Sequence, residues 1–148
     1  MNTSSKTVRD ACESWLMTCK RNGLERATIH SYRGHVEHHI DQKIGSLLVN
    51  ELTRSDVRDF TDDLQDEGVS RAMTKKVLGR LRSALSEALE REWIEHNVAR
   101  EVKLKRNRRD EEEHTIPTKD EIRTLIAMAP DQHRPLIVTA LFTGMRIS

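Results

Sequence analysis

The chain has 148 residues, 36% of them hydrophobic and 33% charged, with a formal net charge of +1. That length can bury a core without disulfide or metal staples. No apolar run approaches the roughly 18 residues of a membrane span, and the opening MNTSSKTVRD lacks the apolar stretch of a secretory signal, so no membrane partner and a reducing cytoplasmic setting are expected.

Cys12 and Cys19 fall on what reads as one helix, about 10 Å apart along its axis. That is too far for a disulfide, and both read as small core residues. The near-neutral total charge conceals segregation. Residues 70–109 hold twelve Lys or Arg against five Glu, a net of +7, whereas residues 41–69 hold three Lys or Arg against eight Asp or Glu, a net of −5. This suits a protein that turns one face to a polyanion and another to water, and solvated helix faces of either sign give the same count.

Aromatic residues make up only 3% of the chain, strand-type alternation is absent, and apolar residues recur at helical spacing, which predicts an all-α fold. A first helix is predicted over about Thr7 to Arg21, with Thr7 as N-cap, Asp10 three residues later, and Val8, Ala11, Cys12, Trp15, Leu16 and Cys19 on its apolar side. Gly23 ends it. A second helix, about Arg26 to Ile40, places Ile29, Tyr32, Val36 and Ile40 on one stripe and His30, Ser31, Gly34, His35 and His38 on the other.

A turn at Ile44-Gly45 leads to Leu47, Leu48 and Leu52, and Thr53 caps a third helix that runs to about Glu67. Val57, Phe60 and Leu64 point inward, while Asp56, Asp59, Asp62, Asp63 and Asp66 form an acidic outer side that should face away from any phosphate backbone. Gly68 breaks the chain before a long fourth helix, about Ser70 to Trp93. Its core stripe is Met73, Val77, Leu78, Leu81, Ala84, Leu85, Ala88 and Leu89. Lys75, Gly79, Arg82, Ser83 and Ser86 lie opposite, and cations interleaved with small residues let a helix approach a groove closely while neutralising phosphates.

From Lys103 a charge run without periodicity extends to Pro117 and reads as an interdomain linker. Thr118 and Glu121 then form a capping box ahead of Ile122, Leu125, Ile126 and Met128. Pro130 closes that helix, and Pro135 opens another that carries Leu136, Ile137, Ala140 and Leu141. The sequence stops inside this apolar helical segment, so residues 118–148 are expected to be an incomplete domain.

Two features resemble the tyrosine recombinase (phage integrase) family. The first is the ordered set Thr28, Tyr32, Ile44-Gly45, Leu52-Thr53, Phe60, Leu64, Gly68, Thr74, Leu78, Leu81, Ala88 and Asn97, although Val98 stands where the family usually has proline. The second is the stretch from Leu141 to Ser148, LFTGMRIS, which is similar to the box around the family's first catalytic arginine.

The resemblance implies a four-to-five-helix SAM-like core-binding bundle over 1–102, the charged linker over 103–117, and the truncated start of a catalytic domain over 118–148. It further implies that Arg146 would hold the scissile phosphate, where planar guanidinium donors suit developing charge. The second and fourth helices would dock on double-stranded DNA of a recombination site through Thr28, His30, Ser31 and His35, and through Ser70, Arg71, Lys75, Lys76 and Arg82. Other recombinase protomers on the DNA are implied partners, a bacterial or phage-infected cytoplasm is the implied setting, and no cofactor or metal is implied.

The family's remaining catalytic elements (a hairpin lysine, a His-x-x-Arg box, a further His or Trp, and the tyrosine nucleophile) would fall beyond Ser148. The sole tyrosine, Tyr32, reads as a core residue of the wrong domain. These 148 residues are therefore expected to bind DNA without recombining it, whereas the parent protein would transfer strands through a phosphotyrosine. Two rival readings are a helical protein-interaction module, served by the apolar surface after Thr118, and a metal enzyme built on His30, His35, His38 and His39. For the latter no carboxylate or cysteine completes a ligand set.

Overall fold

Thr7 opens the first helix, α1 (Val8–Arg21). Its Oγ1 accepts from the Asp10 N–H at 3.2 Å, and the Asp10 carboxylate accepts from the Thr7 N–H at 2.9 Å. The computed structural model describes residues 6–104 and 116–144, and the chain divides into two compact units, 1–106 and 107–148. The all-α expectation is borne out: among the described residues the only β pairing is an isolated antiparallel bridge between Thr7 and Leu48. Around that bridge the first N–H groups of α1, which have no partner inside the helix, donate to the following turn: Val8 to the Leu47 carbonyl at 2.9 Å and Arg9 to the Gly45 carbonyl at 3.0 Å. Gly45 is needed at that turn because a Cβ would lie 2.2 Å from Asp41 Oδ1 and 2.5 Å from the Asp41 carbonyl oxygen.

The second helix extends further than the periodicity suggests. α2 (Arg26–His35) passes into a π-helical turn (Val36–Ile40) and then into α3 (Asp41–Ile44). Val36, Ile40 and Ile44 are all buried. They recur every four residues, so in a regular α-helix each would advance about 40° around the axis; a wider turn reduces the drift and keeps them on one core.

Thr53 caps α4 (Arg54–Asp66) with a second reciprocal pair, to Asp56. The helix buries Val57, Phe60, Thr61 and Leu64 and leaves Asp59, Asp62, Asp63 and Asp66 exposed. Gly68 takes φ +83°, a conformation open to glycine, and Ser70 Oγ then accepts from the Met73 N–H to cap α5 (Arg71–Glu90). α5 is the central strut. It buries Thr74, Val77, Leu78, Leu81, Ala84, Leu85 and Ala88, packs most extensively along α1, and also meets α2, α4 and the π turn.

A short 3₁₀ turn (Val98–Glu101), which the sequence reading did not anticipate, closes the first unit and buries Ala99. Asn97 organises it. Its Oδ1 accepts from Ala99 N–H at 3.1 Å, while its Nδ2 donates to the Arg82 carbonyl at 2.9 Å and to Ser86 Oγ at 3.0 Å. Asn97 thus fixes the exit turn although no proline follows it. Val102 is buried and Leu104 still packs on the core, so the first unit reaches into the segment expected to be linker. The rest of that segment, 105–115, lies outside the described residues.

In the second unit, Thr118 and Glu121 form the expected capping box at the start of α6 (Lys119–Met128). α7 (Arg134–Thr143) carries Pro135 in its first turn. Arg134 joins the two helices by donating from Nε to the Ile126 carbonyl and from its Nη2 to the Ala129 carbonyl, both at 3.2 Å. Large apolar side chains stay exposed here, including Met128 at 80% and Phe142 at 83%.

One polar group is built into the α1–α5 seam. The Glu87 carboxylate, 7% exposed, accepts from Arg91 Nε at 2.7 Å, Thr18 Oγ1 at 2.9 Å and Ser14 Oγ at 3.2 Å. Burial pushes its carboxyl up, and the hydrogen bonds from Arg91, Thr18 and Ser14 outweigh burial, so it titrates below the ordinary value. Glu87→Ala orphans these donors and should cost about 1–3 kcal/mol. A carboxyl with a depressed folded pKa contributes its stability above the unfolded pKa and loses it as pH falls. The gap between wild type and Glu87→Ala in thermal melts should therefore be full at neutral pH and should narrow as the pH drops below the ordinary value of 4.5; equal melting temperatures at neutral pH would refute the account.

Candidate nucleic-acid interface

The angular position of each α5 side chain decides what it can reach. With the core on one side, Lys75, Lys76, Gly79, Ser83 and Ser86 take the opposite side, and the two arginines fall on the flanks between. Arg80 and Arg82 are only two residues apart but diverge by about 200° around the axis.

Arg82 goes to the flank beside the 3₁₀ turn. Its Nε donates to the Ala99 carbonyl at 2.9 Å, and its Nη2 donates to the Val102 carbonyl. Arg82 was expected to meet a phosphate; two of its donors are instead taken by these carbonyls. Its donors satisfy backbone carbonyls of the segment that closes the unit, so its role is to position that segment.

Arg80 goes to the flank beside α2, where its guanidinium lies over the Tyr32 ring, 3.8 Å from the centroid. Tyr32 in turn stacks on Trp15 of α1, with centroids 5.3 Å apart and planes 17° from parallel. Cation–π and aromatic stacking of this kind fix the plane of the guanidinium. His35 lies close by on α2. Burial lowers its pKa first, and the neighbouring Arg80, His39 and Lys76 lower it further, so the ring is neutral near pH 7. His35 Nδ1 and Arg80 Nε are both buried atoms without a hydrogen-bond partner. Lys75, Lys76 and Arg80 form no ion pair among the described residues, whereas Arg9, Arg33, Lys43, Arg54 and Arg91 each have a carboxylate partner.

Of the residues expected at an interface, the structure therefore brings His35 and Lys76 together. Thr28 is half-buried, and His30 and Ser31 are exposed on the earlier turns of α2. Ser70 is the N-cap of α5, Arg71 its first residue, and Lys75 is exposed. Arg146 lies outside the described residues. Arg80 and His39 were not anticipated. The available signal was that Arg80 follows Lys76 by four residues at the edge of the apolar stripe and that α2 carries one aromatic for it to cover. Among the described residues no three His, Cys, Asp or Glu side chains gather in a way that could hold a metal ion. The thiols are not reactive groups, since burial pushes Cys12 up to about 12 and raises Cys19.

This is a small helical bundle of the SAM-like class with cations on α5, unpaired among the described residues, beside the histidines of α2. Residues 7–65 match the family model for the phage integrase N-terminal SAM-like domain. An integrase-like domain from Bacillus cereus is similar at 28% identity, over 77% of this chain and 96% of that one, with a TM-score of 0.66. The Tn1549 transposon integrase, solved in complex with a circular intermediate DNA, shares the fold at 20% identity over 97% of this chain and 46% of its own, with a TM-score of 0.78. A lambda integrase dimer bound to a COC′ core site shares it at 20% identity over 97% and 41%, with a TM-score of 0.74. The chain thus spans less than half of these two integrases. No curated protein sequence matches it.

A titration of the histidine ring resonances by NMR should find His35 protonating below the ordinary value of 6.5. The Arg80→Gln variant should move it back toward the ordinary value of 6.5, and an unchanged titration in that variant would disprove the coupling.

Proposed function

We propose that this chain is the DNA-binding portion of a site-specific tyrosine recombinase, and that α2 and α5 present its DNA-facing surface. The observation that carries this reading is the set of cations Lys75, Lys76 and Arg80 on α5, which form no ion pair among the described residues and of which Arg80 and Lys76 bear on His35 of α2. A duplex offers closely spaced phosphates, and such cations release counterions on meeting them. The exposed carboxylates of α4 are on a separate helix. The solved integrases of the same fold, described as DNA complexes, support the same reading.

The glycines agree with it. Gly79 in α5 would meet nothing within 4 Å if given a Cβ, and Gly34 in α2 only the ring of His38 at 4.0 Å. Packing among the described residues therefore does not require either glycine, and each costs its helix about 1 kcal/mol relative to alanine. Close approach by a duplex backbone gives both a reason.

By resemblance, Arg146 would belong to the recombinase active site and residues 118–148 to the beginning of its catalytic domain, with 103–117 as linker. The stacking of Tyr32 on Trp15 and under Arg80 supports reading it as a packing residue and not as the strand-transfer nucleophile, and binding as the part these residues play. No helix among the described residues is long and apolar enough to cross a membrane, and we place the protein in the cytoplasm, where its DNA would be and where Cys12 and Cys19 stay reduced. A protein-interaction reading is favoured only by the exposed Met128, Leu136 and Phe142 of the second unit. Light scattering with and without duplex separates the two, since an interaction module would self-associate regardless of DNA.

Fluorescence anisotropy with a labelled duplex of mixed sequence tests the proposal. Roughly five phosphate contacts predict a slope of log affinity against log salt of about −4.5, and a flat response would reject it. Gly79→Ala should raise the stability of the fold by about 1 kcal/mol yet weaken duplex binding. A stabilised variant with undiminished affinity would show that no duplex backbone approaches α5 at that point.

A further inference from the structure

Resting on the reading of α2 and α5 as a DNA interface, we propose that Arg80 and His35 form one preorganised seat for a single backbone phosphate, with Arg80 as its fixed arm. Neither residue stands in the family pattern read from the sequence, and it is the packing of α2 on α5 that brings their helices together. The guanidinium cannot wander, because one face of it covers Tyr32 at 3.8 Å and Tyr32 is itself held by Trp15 at 5.3 Å. An arginine stacked in this way still has its edge donors, and those donors point in the plane of the group.

Two of the nitrogens at this place, Arg80 Nε and His35 Nδ1, are buried and have no partner. Buried polar atoms are ordinarily satisfied, so the orphaned Arg80 Nε–H calls for an acceptor, one that the His35 ring can also meet as a donor in its Nδ1–H tautomer. The surroundings specify its charge. The groups that bear on His35 are Arg80 and Lys76 from α5 and His39 from its own helical run, all cationic or basic, and no carboxylate pairs with Arg80 or Lys76 among the described residues. An acceptor with several oxygens and a negative charge meets these demands, and a phosphate diester takes an arginine edge and a second N–H donor at once. A free phosphate ion has the same chemistry, so the test must separate the two sources.

The whole 148-residue chain is titrated into a labelled mixed-sequence duplex over a range of salt, as wild type, Arg80→Gln, Arg80→Lys and His35→Ala. Arg80→Gln should bind about tenfold more weakly at moderate salt, and its salt slope should be shallower by about 0.9, the contribution of one phosphate. Arg80→Lys should recover the slope without full affinity, because an ammonium keeps the charge but loses the planar fork. His35→Ala should weaken binding less than Arg80→Gln while leaving the slope near that of wild type.

If Arg80→Gln binds within about twofold of wild type with an unchanged slope while Lys75→Ala binds more weakly, the seat is wrong and the interface stands. If wild type does not bind at all, both fall. Should Arg80→Gln melt below the assay temperature, the wild-type chain decides by NMR. The Arg80 Nε–H resonance should shift and sharpen on adding duplex and should respond only weakly to inorganic phosphate. No response to duplex, or a response to inorganic phosphate alone, overturns the assignment.

Discussion

The packing of α1 against α5 is the constraint on which the rest of the first unit depends. Once Leu78, Leu81, Leu85 and Ala88 are committed to that seam and its neighbours, the rotation of α5 about its own axis is fixed, and with it the direction of every polar side chain the helix carries. The buried Glu87, held by Ser14 and Thr18 from α1 and by Arg91, pins the same seam with directional bonds that an apolar contact lacks. A helix free to roll by even part of a turn would lose the distinction between its two flanks. Here that distinction makes Arg82 a clamp on backbone carbonyls and Arg80 a cation presented beside α2.

The helix starts were legible because their chemistry is local. Thr7, Thr53 and Thr118 each stand three residues before an acidic side chain, and each forms the reciprocal pair that spacing implies. The buried side of α1 was legible residue by residue for the same reason, since a 3.6-residue period needs no knowledge of the partner. What escaped was tertiary. Apolar periodicity shows which side of α5 faces inward but not which neighbour waits on each flank, so Arg82 read as a phosphate contact and Arg80 went unremarked. The 3₁₀ turn at 98–101 exists because Asn97 finds the Arg82 carbonyl and Ser86 across the bundle, partners fifteen and eleven residues away that no window of sequence reveals. The π turn escaped because Val36, Ile40 and Ile44 repeat every four residues, close enough to helical spacing to pass for it.

The two units differ in how they settle their apolar surface. The first buries a continuous core from Val8 to Val102. The second places α6 and α7 side by side, with Ala129 its one buried apolar residue among those described and Arg134 bridging the end of α6. Its capping box is as well formed as those of the first unit, so local helix signals are present while the described residues of the unit bury almost no apolar surface. Two helices offer one contact, and an apolar stripe on each needs more neighbours than the other can supply.

The surface of α5 shows the complementary imbalance. A helix shaped for its own stability would carry alanine at position 79, where the space is open, and would answer Lys75, Lys76 and Arg80 with carboxylates at neighbouring turns. The second device is used elsewhere in the chain: Arg33 has Glu37 one turn on, and Arg91 has Glu87 one turn back. The absence of both along one face of one helix, beside two buried nitrogens that lack partners, is a departure from local consistency confined to a single surface. Departures of that kind collect where a chain meets something other than itself, and a surface that is cationic, sterically thin and short of acceptors is complementary to a row of phosphates.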